Sequence, residues 1–190
     1  NNKREKYSIS IMKETKKMSD MVSELLELSK IEADVSNPHH EEIDMIEIVK
    51  ELAGKYNYLL RDKNVFINVK VNCENVFFFG DTKMIETAVG NLLSNAAKYV
   101  ANDGVIEVKI VYENEKIDIE VFNSGENISE QHIENIWIPF YKVEESRKRE
   151  NSGTGLGLAI VKGIIERYKG SYFVKNESNG VRFGISFPKK

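Results

Sequence analysis

The sequence predicts an α+β fold: a two-layer α/β sandwich preceded by one long amphipathic helix. Residues 1–33 hold no glycine or proline and repeat apolar side chains at helical spacing. Beyond residue 41, short alternating apolar runs come mostly as adjacent pairs, and regular strand–helix–strand alternation is missing. With 190 residues, 41% of them apolar and 30% charged, the chain can bury one core and carry something extra.

In the first helix Ile11, Met18, Met21, Val22, Leu25, Leu28 and Ile31 recur in steps of three and four, a coiled-coil-like seam. The helix is expected either to lie on its own domain or, the favoured expectation, to be a bundle helix with partners upstream or in a second chain. Ser36, Asn37 and Pro38 break it. The expected division is therefore a helical unit at 1–35, a linker at 36–42 and a domain at 43–190.

The segment from Glu42 to Asp62 reads as a short strand and then a helix with Ile46, Val49, Leu52, Tyr56 and Leu59 on one side. Val65, Ile67, Val69 and Val71 alternate as a strand, and Val76 to Phe79 form another that ends at Gly80. A helix from Thr82 to Tyr99 points Ile85, Ala88, Leu92 and Ala96 inward. Strands follow at Ile106, Val108, Ile110 and at Ile117, Ile119, Val121. Residues 124–152 carry no long periodic element. A helix spans Gly157 to Tyr168, and strands near Tyr172–Val174 and Val181–Phe187 complete the pattern.

Composition narrows the function. A net charge of −3 forces no basic face, so nucleic acid is not the expected ligand. The single cysteine, Cys73, makes neither an internal disulfide nor a cysteine zinc site. No apolar run approaches the ~20 residues that span a bilayer.

Three clusters carry chemistry. Asn91 and Asn95 share a helix face, with Lys98 one turn on, and two carboxamides with an ammonium suit hydrated magnesium and phosphates. Asn123 continues the inward parity of Ile117, Ile119 and Val121, so a strand delivers a buried amide where an adenine amine could meet it. Gly125 follows, free to turn tightly. Gly153-Thr154-Gly155-Leu156-Gly157-Leu158 opens a helix, where backbone N–H groups and the dipole favour phosphate. Each has a plainer reading: solvated asparagines, an ordinary Asn-Ser-Gly turn, a loop with glycines.

In this order the clusters resemble the C-terminal part of a bacterial sensor histidine kinase of a two-component system. Asn91 to Tyr99 match the family's N box, Asn123 to Ile128 its first glycine box, Pro139-Phe140-Tyr141-Lys142 its F box, and Gly153 to Leu158 its second glycine box. Leu25 to Glu32 resemble the end of the dimerisation and phosphotransfer hairpin. The resemblance implies the Bergerat ATP-binding fold shared with gyrase, chaperone and mismatch-repair ATPases, with ATP and Mg2+ in the site. It implies Asn95 as the direct metal ligand beside Asn91, Lys98 near the phosphates, and Asn123 against adenine. Tyr99, Gly125, Ile128, Phe140, Tyr141 and Lys142 would surround the nucleotide, and Gly153, Thr154, Gly155, Leu156, Gly157, Leu158 and Arg147 would attend the phosphates. Those ATPases carry a water-activating glutamate where Asn91 stands, so fast hydrolysis is not implied.

The implied reaction passes the γ-phosphoryl to a hairpin histidine and then to an aspartate of a response regulator. The implied setting is a homodimer through the N-terminal helix, in the cytoplasmic part of an inner-membrane sensor anchored by upstream segments. Two departures stand out. Asn123 replaces the usual aspartate of the first glycine box and Asn127 its second glycine. No acceptor-histidine box is found, so the sequence is expected to begin after it, with His39, His40 and His132 facing solvent. The charged stretch 143–152 is expected to order only around a ligand. The alternatives are a nucleotide-binding module with weak or no kinase activity, or an ATPase or serine kinase of the same fold.

Overall fold

Two aspartates start the helices that frame the core. Asp44 accepts hydrogen bonds from the backbone of Ile46 at 2.9 Å and Glu47 at 3.1 Å, and Asp81 accepts one from Met84 at 3.2 Å. Each follows a strand of a two-stranded antiparallel ribbon, β1 (His40–Asp44) and β3 (Phe77–Asp81). The helices they open are α2 (Met45–Leu59) and α3 (Thr82–Tyr99). In this computed structural model the described residues are 2–33, 39–143 and 153–188.

The remaining strands form one five-stranded sheet: β2 (Ile67–Val71), β4 (Ile106–Glu113), β5 (Lys116–Ser124), β6 (Ser171–Glu177) and β7 (Gly180–Pro188). Their order is β2-β4-β5-β7-β6, antiparallel except for the β2–β4 pair. A parallel pair needs a crossover, and β3 with α3 supplies it. The short α4 (Glu130–Ile133) and a 3-10 turn, Asn135–Trp137, follow β5, and α5 (Gly157–Arg167) precedes β6.

One sheet face is apolar and covered. Ile106, Val108, Ile110, Ile117, Ile119, Val121, Phe183, Ile185 and Phe187 are buried there. They join Ile85, Leu92 and Ala96 of α3 and Ile160 and Ile164 of α5 in one core, as the sequence spacing predicts. The opposite face is ionic. Arg182 binds Glu177 through Nε at 2.5 Å and Glu120 through Nη1 at 3.4 Å, and Glu107 pairs with Lys70.

Several details depart from the sequence expectations. His40 and Glu41, assigned to the linker, belong to β1, which begins two residues before the strand expected from Glu42. Leu59 is exposed because the next residue, Leu60, takes the core seat at the helix end. Tyr168 accepts a hydrogen bond from the backbone of Asp81 at 2.8 Å, which ties the end of α5 to the start of α3.

Among the described residues, helix α1 (Asn2–Glu32) meets the domain along its last turns. Leu28 and Ile31 are buried and Met21 is partly covered, whereas Ile11, Met18, Val22 and Leu25 are exposed. Ile31 Cγ2 lies 3.0 Å from where a side chain on Gly163 would begin, so the bare glycine admits the helix. Thr87 donates to Glu27 at 3.1 Å beside this contact. The C-terminal turns thus lie on the domain, as the first of the two helix expectations has it, and the upstream apolar residues are exposed.

Candidate functional site

Where α3, α5 and the ends of β5 and β7 meet, they enclose a cavity of about 1110 Å³. The periodicity of α3 explains one wall. Leu92 and Ala96 turn into the core, which leaves Asn91, Asn95 and Lys98 on the cavity side. Tyr99 continues that wall, and the Lys98 ammonium stands 5.1 Å from its ring centroid. Asn123, only 3% exposed, lies on the floor, with Val181 and Phe183 beside it.

The glycine turn closes the opposite side. A side chain on Gly157 would begin 2.8 Å from Asn91 Oδ1, and one on Gly153 would begin 3.2 Å from Lys98 Nζ. The turn therefore sits directly on the carboxamide and ammonium groups, and only a missing Cβ allows that approach at Gly157. Gly155 has φ +86°, and its backbone abuts that of Phe140 and Tyr141. The Leu156 N–H donates to Thr154 Oγ1 at 3.2 Å, and that hydroxyl donates in turn to Glu24 of α1.

Of the residues singled out from sequence, Asn91, Asn95, Lys98, Tyr99, Asn123, Ile128, Tyr141, Lys142, Gly153, Thr154, Gly155, Gly157 and Leu158 line this cavity. Three do not: Gly125 is exposed at a turn with φ +146°, Phe140 is half-exposed, and Leu156 is fully buried in the core. Leu156 nonetheless anchors the glycine turn, through its buried side chain and its N–H on Thr154. Arg147 and the rest of the stretch 144–152 lie outside the described residues.

Sequence reasoning missed other lining residues. His132 is not solvent-facing: it lines the cavity, with Nδ1 2.6 Å from the Tyr141 hydroxyl. Asn176 of β6 fixes Ile128 by donating to its carbonyl at 2.7 Å and accepting from its N–H at 2.9 Å. Glu24 arrives from a helix more than sixty residues before the first cluster, and no local pattern marks it. Among the described residues, no three His, Cys, Asp or Glu side chains cluster as a metal centre. A cation here would have to rely on the carboxamide oxygens and on a ligand's own oxygens.

The chain is similar to proteins of known family and fold. Residues 80–190 match the family described as histidine kinase-, DNA gyrase B-, and HSP90-like ATPase. Sensor histidine kinase CusS of Escherichia coli (strain K12) is 31% identical over 180 residues, 94% of this chain and 37% of its own length. Sensor-like histidine kinase SenX3 of Mycolicibacterium smegmatis is 28% identical over 185 residues, 97% of this chain and 48% of its own. The chain therefore spans less than half the length of these curated relatives. The solved catalytic domain of histidine kinase ThkA matches with TM-score 0.72 and 28% identity, over 80% of this chain and 96% of that one. ThkA in complex with the response regulator protein TrrA matches with TM-score 0.77 and 25% identity, over 97% of this chain and 51% of that one.

Proposed function

This chain belongs to the histidine kinase-, DNA gyrase B-, and HSP90-like ATPase family, and from that membership we propose that it is the ATP-binding kinase part of a sensor histidine kinase. What supports the reading most is the seating of the glycine turn on Asn91 and Lys98, at 2.8 and 3.2 Å from the Cβ positions of Gly157 and Gly153. The start of α5, at Gly157 and Leu158, lines the same cavity as the ammonium, an arrangement suited to a polyphosphate. Asn123 would meet the adenine amine on the floor, and Tyr141 and Ile128 would flank the base or ribose.

Phosphoryl transfer needs mainly positioning and charge neutralisation, and these residues can supply both. Asn95 would hold Mg2+ with Asn91 beside it, and the bound metal would neutralise phosphate charge. Lys98 would hold the phosphates against the glycine turn. No carboxylate stands at position 91 to activate water, so the phosphoryl group is kept for a protein acceptor. That acceptor would be a histidine of a hairpin whose second helix is α1, and the next acceptor an aspartate of a response regulator. The open seam of α1 would join a homodimeric bundle. The proposed setting is the cytoplasmic side of a membrane sensor. Among the described residues no helix is long and apolar enough to cross a membrane.

Mixing this chain with a separately made hairpin that carries the histidine, plus Mg2+ and ATP, tests the reading. Acid-labile, base-stable phosphate on the hairpin is expected. ATP binding without transfer would favour a nucleotide-binding module, and ATP consumption without the hairpin would favour an ATPase.

A further inference from the structure

Among the described residues, Glu24 is the one side chain that α1 contributes to the cavity lining. Its carboxylate accepts from Thr154 Oγ1 at the mouth of the glycine turn, the end where the proposed function puts the phosphates. Thr154 is 8% exposed and already accepts from the Leu156 N–H, so its hydroxyl proton has one acceptor to serve at a time. The helix that carries Glu24 is held just beyond it, by Glu27 on Thr87 and by Leu28 and Ile31 against α5.

We propose that α1 is a phosphate-sensitive latch: Glu24 and the terminal phosphates of a nucleoside triphosphate compete for the glycine turn, so triphosphate binding loosens this seating of α1. The inference rests on the nucleotide reading of the cavity and adds a regulation of that site. Two anions in one partly desolvated cavity repel, and a phosphate cannot receive the Thr154 proton while Glu24 does. The coupling is reciprocal, because the factor by which seated α1 weakens triphosphate binding equals the factor by which triphosphate weakens the seating. A ligand with no phosphate makes no such demand, so adenosine is indifferent to the latch. The geometry thus links the motion of a signalling helix to the charge of the bound nucleotide, with no contact between helix and base.

Calorimetry on this chain with Mg-ATP and with adenosine tests it, using Glu24→Gln and, as a second variant, Ile31→Asp. The first removes the charge with almost no change of shape, and the second unseats the helix without touching the cavity; circular dichroism checks that both stay folded. Expected is ATP binding about five- to tenfold tighter in each variant, with adenosine affinity unchanged. Hydrogen exchange in residues 20–32 of the unaltered chain should also quicken when ATP is added. ATP affinity unchanged or weaker in Glu24→Gln, while the unaltered chain binds ATP, overturns the latch and leaves the nucleotide reading standing. Equal gains for adenosine also overturn it, since the effect would then be one of general access. A chain that binds neither ligand overturns both readings together.

Discussion

The backbone N–H of Phe140 donates to the carbonyl of Gly155 at 2.9 Å, so the segment after the 3-10 turn is bolted to the glycine turn. Both residues sit at positive φ, +65° for Phe140 and +86° for Gly155. The segment is anchored from behind by Trp137, whose ring centroid lies 4.6 Å from that of Tyr172 on β6. Cavity wall and sheet are therefore one mechanical unit.

Gly155→Ala tests this bolt. The new Cβ would lie 3.0 Å from the Phe140 carbonyl carbon and would hold a non-glycine residue at φ +86°. Loss of about 1–3 kcal/mol of stability is expected, from left-handed strain and crowding together. If the phosphates meet the turn as proposed, ATP affinity should fall further than adenosine affinity. Urea unfolding with parallel calorimetry measures both.

Asn95→Ala removes the carboxamide oxygen assigned to magnesium. Binding of Mg-ATP should weaken by about 1.5–3 kcal/mol, the scale of a polar contact to a charged group. Adenosine binding should stay nearly constant, because the floor at Asn123 is untouched. Equal losses for both ligands would remove the metal role.

For Asn123→Asp two opposite effects are expected. An adenine amine would donate to a charged acceptor in place of a neutral one, tightening adenosine and ATP by ~1 kcal/mol. Without nucleotide, a carboxylate at a position only 3% exposed costs folding stability. A lower melting temperature in the ligand-free variant together with a larger rise on adding ATP would bear out both halves. Unchanged affinity would mean that Asn123 does not meet the base.

The ionic face of the sheet sets an acid limit. Hydrogen bonding to Arg182 holds the Glu177 carboxyl below its ordinary value of 4.5, and hydrogen bonding to Lys70 does the same for Glu107. A carboxyl depressed in the native state takes up its proton first in the unfolded chain. Its stabilisation is therefore present above the ordinary value and fades as pH falls through the depressed native one. Thermal melts should drop as the solution passes from about pH 5 towards about pH 3. Glu177→Gln should show a shallower drop over the same range, and an identical slope would exclude the pair as a cause.

The sequence disclosed whatever repeats. Ile85, Ala88, Leu92 and Ala96 mark α3 at a period near four, and the same period turns Asn91 and Asn95 to the other side. Asn123 could be placed indoors because the strand parity of Ile117, Ile119 and Val121 runs straight into it. Residues that do not repeat stayed hidden. Glu24 reads as one more charge on a charged helix until α5 is laid beside it, and His132 sits in a four-residue helix too short to show a face. Leu59 misled because the turn after α2 gives the core seat to Leu60. Long-range placement decided the first two, and the local turn at the end of α2 decided the third.

Strand β7 follows every other described strand in sequence, yet it lies in the sheet interior between β5 and β6. During synthesis the ribosome therefore releases β5 with one edge open until residues 180–188 emerge. That edge carries Ile117, Ile119 and Val121, the kind of sticky surface that chaperones cover. Val181 and Phe183 complete the cavity floor and arrive with the same strand. A chain that lacks β7 thus has only the β2-β4-β5 part of the sheet and an incomplete pocket floor. Closure of the sheet and of the pocket floor is thus a single event, the pairing of β7 with β5.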